Sequence, residues 1–162
     1  MIRFAGIALI ALTPVLASFA LMRRLKTRRR QLNALLKMVS RMKAMIRYQA
    51  LPVADLIRQA AGGEDLECLS FLRPAPNEEE NAAEVIINRL SGCLYPDDLP
   101  LAQEFFAGLG RTDVEGQTAH CELYETLLRE QYDKTAEMVK EKGKLYYSLG
   151  GLGAAMCVIL LL

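Results

Sequence analysis

The last eighteen positions of this chain, 145–162, contain no Asp, Glu, Lys or Arg. As a helix rising about 1.5 Å per residue, that run would reach about 27 Å, close to the thickness of a bilayer's hydrocarbon core. Lys142 and Lys144 stand just before it, and Tyr146 and Tyr147 lie at its entrance. Those are the chemistries that settle among lipid headgroups and in the interfacial belt. We therefore read 145–162 as a transmembrane helix rather than as the buried last helix of a soluble bundle. A chain with such an end has few architectures open to it.

A second apolar run occupies 4–22, interrupted by Thr13, Pro14 and Ser18. It reads as another transmembrane helix of about 19 residues, a length that suffices to span, and proline is tolerated there when neighbours satisfy the freed carbonyl. Ser18-Phe19-Ala20 resembles a signal-peptide cleavage site, but only Arg3 precedes the run, whereas Arg23, Arg24, Lys26, Arg28, Arg29 and Arg30 come directly after it. A retained basic cluster puts the N-terminus outside and the residues after Met22 inside. Lys140, Lys142 and Lys144 give the second span the same orientation. The expectation is three parts: a span at 4–22, a cytoplasmic helical bundle domain at 23–143 and a span at 145–162.

Net charge is only +1, yet it conceals a segregation: no acidic residue precedes Asp55, while eleven Lys and Arg do. Such asymmetry marks a face beside a membrane or a nucleic acid. The basic stretch nearest the first span, Arg23, Arg24, Lys26, Arg28, Arg29 and Arg30, is the candidate for contact with anionic lipid headgroups.

Between the spans the pattern is helical apart from one loop, and no strand is expected. Leu32, Leu35, Leu36, Val39, Met42, Met45 and Ile46 recur at three- and four-residue steps and predict an apolar face over 31–49. Pro52 restarts the chain into a short helix, 53–61, ended by Gly62-Gly63. Residues 64–81, with Pro74, Pro76 and the acidic run Glu78-Glu79-Glu80, read as a surface loop. A helix over 80–90 buries Ala83, Ile86, Ile87 and Leu90. Asp97 or Asp98 caps another that runs to Leu109. In Leu109-Gly110-Arg111-Thr112-Asp113-Val114-Glu115-Gly116-Gln117, Gly110 suits a left-handed helix terminus, and Thr112 with Glu115 matches a capping box. The last helix carries Cys121, Tyr124, Leu127, Leu128, Gln131, Thr135, Met138 and Val139 on one stripe and continues through Gly143 into the tail. There, Gly150 with Ala154 and Gly151 with Ala155 form small-xxx-small faces for close helix packing. The fold class is all-α: a membrane-anchored cytoplasmic helical bundle of about five to six helices, with an N-terminal and a C-terminal transmembrane helix.

Chemistry-bearing constellations are sparse. Cys68, Cys93, Cys121 and Cys157 lack metal-ligand spacing, and unpaired thiols in a reducing compartment are expected. His120 has no second ligand or base near it in sequence, and 109–117 lacks the Lys-Ser/Thr pair of a phosphate loop. The sequence predicts no enzyme activity, no cofactor, no metal site and no small-molecule substrate.

With these residues in view, the chain resembles the stage III sporulation protein AB family of endospore-forming bacteria. Lys144-Leu145-Tyr146-Tyr147-Ser148-Leu149-Gly150-Gly151-Leu152-Gly153 is similar to that family's K-x-Y-x-S-L-G tail. Leu109-Gly110-x-x-Asp113-x-x-x-Gln117 resembles its central signature, and Ile46-x-Tyr48-x-x-x-Pro52 its first segment. Met45 stands where the family usually has an acid, Leu51 replaces the Thr before the proline, and the frequent Trp is missing. The resemblance implies a bundle like the cytoplasmic domain of inner-membrane platform proteins in type II secretion and type IV pilus machines. It implies a place in the mother-cell membrane facing the forespore. There the protein would be a non-enzymatic scaffold in a channel or secretion-like complex, joined by other membrane proteins and a cytoplasmic secretion-type ATPase; self-association is equally allowed. The competing reading is a membrane-tethered protein that binds nucleic acid or anionic lipid through its basic juxtamembrane helix. Topology already explains those cations, and no aromatic residues interleave them as a single-strand binder requires, so nucleic acid is not expected.

Overall fold

The computed structural model describes residues 2–49, 51–63, 66–73 and 81–161; for 2–18, 146, 147 and 149–161 only the helical backbone is described. Five α-helices carry the described residues: α1 (Ile2–Gln49), α2 (Val53–Ala61), α3 (Ala82–Leu90), α4 (Leu99–Gly108) and α5 (Val114–Leu161). No strand occurs among them, so the all-helical class holds. Each stretch expected to span is continuous with the helix beside it. The run at 4–22 and the amphipathic stretch at 31–49 belong to one helix, and α5 passes through Gly143 without a break. Among the described residues no helix is long and apolar enough to cross a membrane. The stretches expected to do so, 4–22 and 145–162, fall for the most part on residues whose side chains lie outside the described ones.

The chain divides into two compact units. One comprises residues 1–27 with 134–162; the other comprises 28–133. In the second unit, Arg29 of α1 meets Tyr132 of α5 and Lys43 meets Glu125, so the two long helices run antiparallel there. In the first unit, a Cβ added to Gly143 would lie 3.4 Å from the terminal methyl of Met22, which brings α1 and α5 side by side. Leu25 and Thr135 are buried between them, and the Thr135 hydroxyl has no hydrogen-bond partner there.

The core of the second unit follows from the periodicity of α1. Leu32, Leu35, Leu36, Val39, Met42 and Ile46 are buried as expected, joined by Ala34 and Met38; Met45 is only half-buried. The shorter α3 packs on α2 and α4, with Ile86 and Leu90 inward and Ala82, rather than the expected Ala83, buried at its start. Helix α2 matches its predicted bounds because Pro52 cannot continue α1, while its carbonyl accepts the N–H of Leu56.

The stretch after Gly63 departs from expectation. Leu66, Leu69, Phe71 and Leu72 are all buried, the last two on a 3-10 turn, Ser70–Leu72, that packs against α3. Phe71 meets Phe106 of α4 edge-to-face, with ring centres 6.0 Å apart. A run too short for helical period and followed by prolines thus works as an apolar hook, not as a solvated loop. The acidic run Glu78-Glu79-Glu80 lies outside the described residues.

Candidate functional site

The residues singled out in the sequence fall in three places. The first is in the unit made by residues 1–27 and 134–162. Met22 and Leu25 turn inward on α1, so helical geometry puts Arg23, Arg24 and Lys26 outward, and all three are exposed. On α5 the exposed Lys140, Lys142 and Lys144 flank the inward Gly143. The ion pairs that spacing offers among Glu137, Lys140, Glu141 and Lys144 do not form among the described residues. Past the Met22–Gly143 contact large apolar side chains are exposed on both helices, with Phe19 65 % exposed, Leu21 50 % and, between exposed Lys144 and Ser148, Leu145 57 %. Large exposed hydrophobic side chains beside exposed cations, at one level on two helices, are unusual for a surface that meets only water.

The second place corrects a sequence reading. Arg28 belongs by position to the run of expected lipid-facing cations, yet it is 5 % exposed. It lies three residues after Leu25 and four before Leu32, which puts it on the apolar stripe of α1. Its Nε and Nη2 donate to the two carboxylate oxygens of Asp98, at 2.7 and 2.6 Å. Asp97 adds a longer contact at 3.4 Å, and the Tyr95 ring lies 4.5 Å from the guanidinium carbon. The Asp98 hydrogen bonds outweigh burial and raise Arg28 above its ordinary value. Asp98 does precede α4, as expected, but its side chain caps nothing because both oxygens serve Arg28. Arg29 donates to the Tyr132 hydroxyl and lies over its ring, while Arg30 is exposed.

The third place is the corner between α4 and α5, where the Leu109–Gln117 motif proves structural. Gly110 has φ of 77°, a left-handed conformation that favours glycine, and its N–H donates to Gln117 Oε1. Gln117 Nε2 donates to the Gly108 carbonyl and to Thr112 Oγ1. Asp113, not Thr112, caps α5: its carboxylate accepts the N–H of Gly116, and its carbonyl accepts that of Gln117. Leu109 is buried in the core. His120 Nε2 bonds the Phe105 carbonyl at 2.9 Å, with its ring stacked on Phe105. Gln117 and His120 thus satisfy the carbonyls left over at the end of α4. A Cβ on Gly108 would run into the His120 ring, so glycine is what admits it.

The two sequence segments that carry the resemblance in this unit meet here. A Cβ on Gly110 would lie 2.6 Å from the Val53 side chain, which follows Pro52 directly. Tyr48, one turn earlier on α1, is 80 % exposed. From the tail motif, the Ser148 hydroxyl donates to the Leu145 carbonyl within α5. The side chains of Tyr146, Leu149, Gly150, Gly151, Ala154 and Ala155 lie outside the described residues.

Cys68, Cys93 and Cys121 are free thiols, and Cys157 lies outside the described side chains. Burial pushes the Cys121 thiol up to about 11 and raises that of Cys68. Among the described residues no cluster of His, Cys, Asp and Glu is arranged to hold a metal ion.

Comparison with known proteins agrees with the motif resemblance along the entire length. Neither the curated proteins nor the solved structures returned a match. The family model described as stage III sporulation protein AB matches residues 3–162, and the chain belongs to that family.

Proposed function

We propose that this sporulation-stage protein is a membrane-tethered, non-enzymatic scaffold of the channel or secretion-like complex between mother cell and forespore. Its cytoplasmic bundle docks a secretion-type ATPase and couples it to the membrane components. The observation that carries the tether is the level of Met22 and Gly143, where Phe19, Leu21 and Leu145 are exposed next to exposed cations. Water disfavours that apolar surface by about 25 cal/mol per Å², and a bilayer accepts it beside headgroup-facing cations. Because α1 and α5 supply both this surface and the walls of the bundle, a displacement of the bundle helices reaches the anchors without an intervening loop.

The chemistry of the bundle supports a non-catalytic role. Its histidine holds a helix end, its most buried thiol is kept protonated, and its most buried cation is matched by a carboxylate. Affinity purification of the intact protein from sporulating cells tests the reading. The secretion-type ATPase and membrane proteins of the complex are expected in the eluate, and their absence under mild detergent overturns the scaffold role.

A further inference from the structure

We infer that the two helices of the first unit jointly form a binding belt for anionic phospholipid headgroups, built from Arg23, Arg24 and Lys26 of α1 and Lys140, Lys142 and Lys144 of α5. The inference rests on the tethered reading above and deepens it. Sequence alone assigns lipid contact to a single basic run on α1. The structure removes Arg28 from that run by burying it against Asp98, engages Arg29 with Tyr132, and supplies three lysines from the other end of the chain.

Geometry and charge select the ligand. The Met22–Gly143 contact brings the two cation sets to one level, and all six side chains are exposed without an ion-pair partner among the described residues. Only Glu137 and Glu141 oppose them on the same stretch of α5. Phe19, Leu21 and Leu145 are exposed beside them, so a ligand filling this surface needs an anionic group adjoining a hydrocarbon portion. A phospholipid with a net negative headgroup has both. Nucleic acid supplies the charge and leaves the apolar border in water. Each cation near an anionic surface adds to binding, so six on two helices yield a preference that neither helix reaches alone.

The test uses the full-length protein in mixed micelles holding equimolar phosphatidylglycerol and phosphatidylcholine, with retained lipid counted by native mass spectrometry. The belt predicts a preference for the anionic lipid of at least about tenfold, collapsing as salt is raised. Arg23→Gln with Arg24→Gln and Lys26→Gln, and separately Lys140→Gln with Lys142→Gln and Lys144→Gln, each reduce it several-fold, with helicity by circular dichroism unchanged. An intact preference in the α5 triple variant overturns the two-helix belt, as does salt-independent retention by the unaltered protein. Binding of duplex DNA that the same substitutions abolish, without any lipid preference, replaces lipid by nucleic acid. Failure of the tethered reading is separately visible, because the protein would then stay soluble without detergent.

Discussion

Arg28 and Asp98 are 70 residues apart in sequence and share two hydrogen bonds of 2.7 and 2.6 Å in the buried interior. The pair joins the long first helix to the start of α4, with Leu25 and Leu32 buried on either side of Arg28 along α1. Removing one member strands the other charge in a medium that solvates it poorly. Asp98→Ala is therefore expected to lower stability by about 3–5 kcal/mol, measured by denaturant unfolding of the protein. The double substitution Arg28→Met with Asp98→Leu recovers most of that loss, because a matched apolar pair leaves no charge to desolvate. Equal instability of the single and double variants would refute this account of the pair.

The α4–α5 corner concentrates its hydrogen bonds on one side chain. Gln117→Ala removes the partner of the Gly110 N–H and of the Gly108 carbonyl, and the loss of these part-buried hydrogen bonds costs about 1 kcal/mol. Gly110→Ala is destabilising for a different reason, combining a left-handed backbone with a clash against Val53. Melting temperatures of both variants check the pair of expectations.

Gly143 invites the opposite expectation. It lies inside α5, where glycine costs roughly 0.5–1 kcal/mol relative to alanine. The added methyl would make ordinary contact with Met22 at 3.4 Å. Gly143→Ala should raise the melting temperature of the protein in detergent. A lowered value would show that this level of the helix pair has no room for a methyl.

Cys121 offers a chemical readout of burial. With its thiol pushed up to about 11 by desolvation, it stays protonated at pH 8 and escapes a thiol-alkylating reagent until the bundle opens. The folded state holds this proton more tightly than the unfolded chain, whose thiol titrates near its ordinary value of 9.0. The stability contributed by this site is complete below about pH 9 and declines as pH rises toward about 11. Mass spectrometry of the labelled native protein checks the first point, and stability against pH checks the second.

Local patterns in the sequence carry local structure well and long-range pairing poorly. The α1 core face is visible because Leu32, Leu35, Val39, Met42 and Ile46 repeat with the helical period, and α2 because Pro52 and Gly62-Gly63 bracket it. The fate of Arg28 depends on Asp98, which no local pattern connects to it. Its one local signal is the register between Leu25 and Leu32, which places it off the solvated face. Thr112 and Asp113 are neighbouring capping residues, and propensity alone does not choose between them; the choice falls to Asp113 once Gln117 engages the Thr112 hydroxyl. The hook at Leu66, Leu69, Phe71 and Leu72 is too short and irregular to show a period, so only burial reveals it. The basic residues on either side of Gly143 are readable one helix at a time; that Gly143 lies beside Met22 of α1 is a tertiary fact.

The central claim is that both ends of the chain are held in a membrane. Alkaline carbonate extraction of membranes carrying the full-length protein, or versions lacking 2–22 or 146–162, tests it most directly. All three are predicted to remain in the membrane pellet, whereas a fourth version, lacking both segments, is released. Release of the full-length protein into the supernatant would contradict the account.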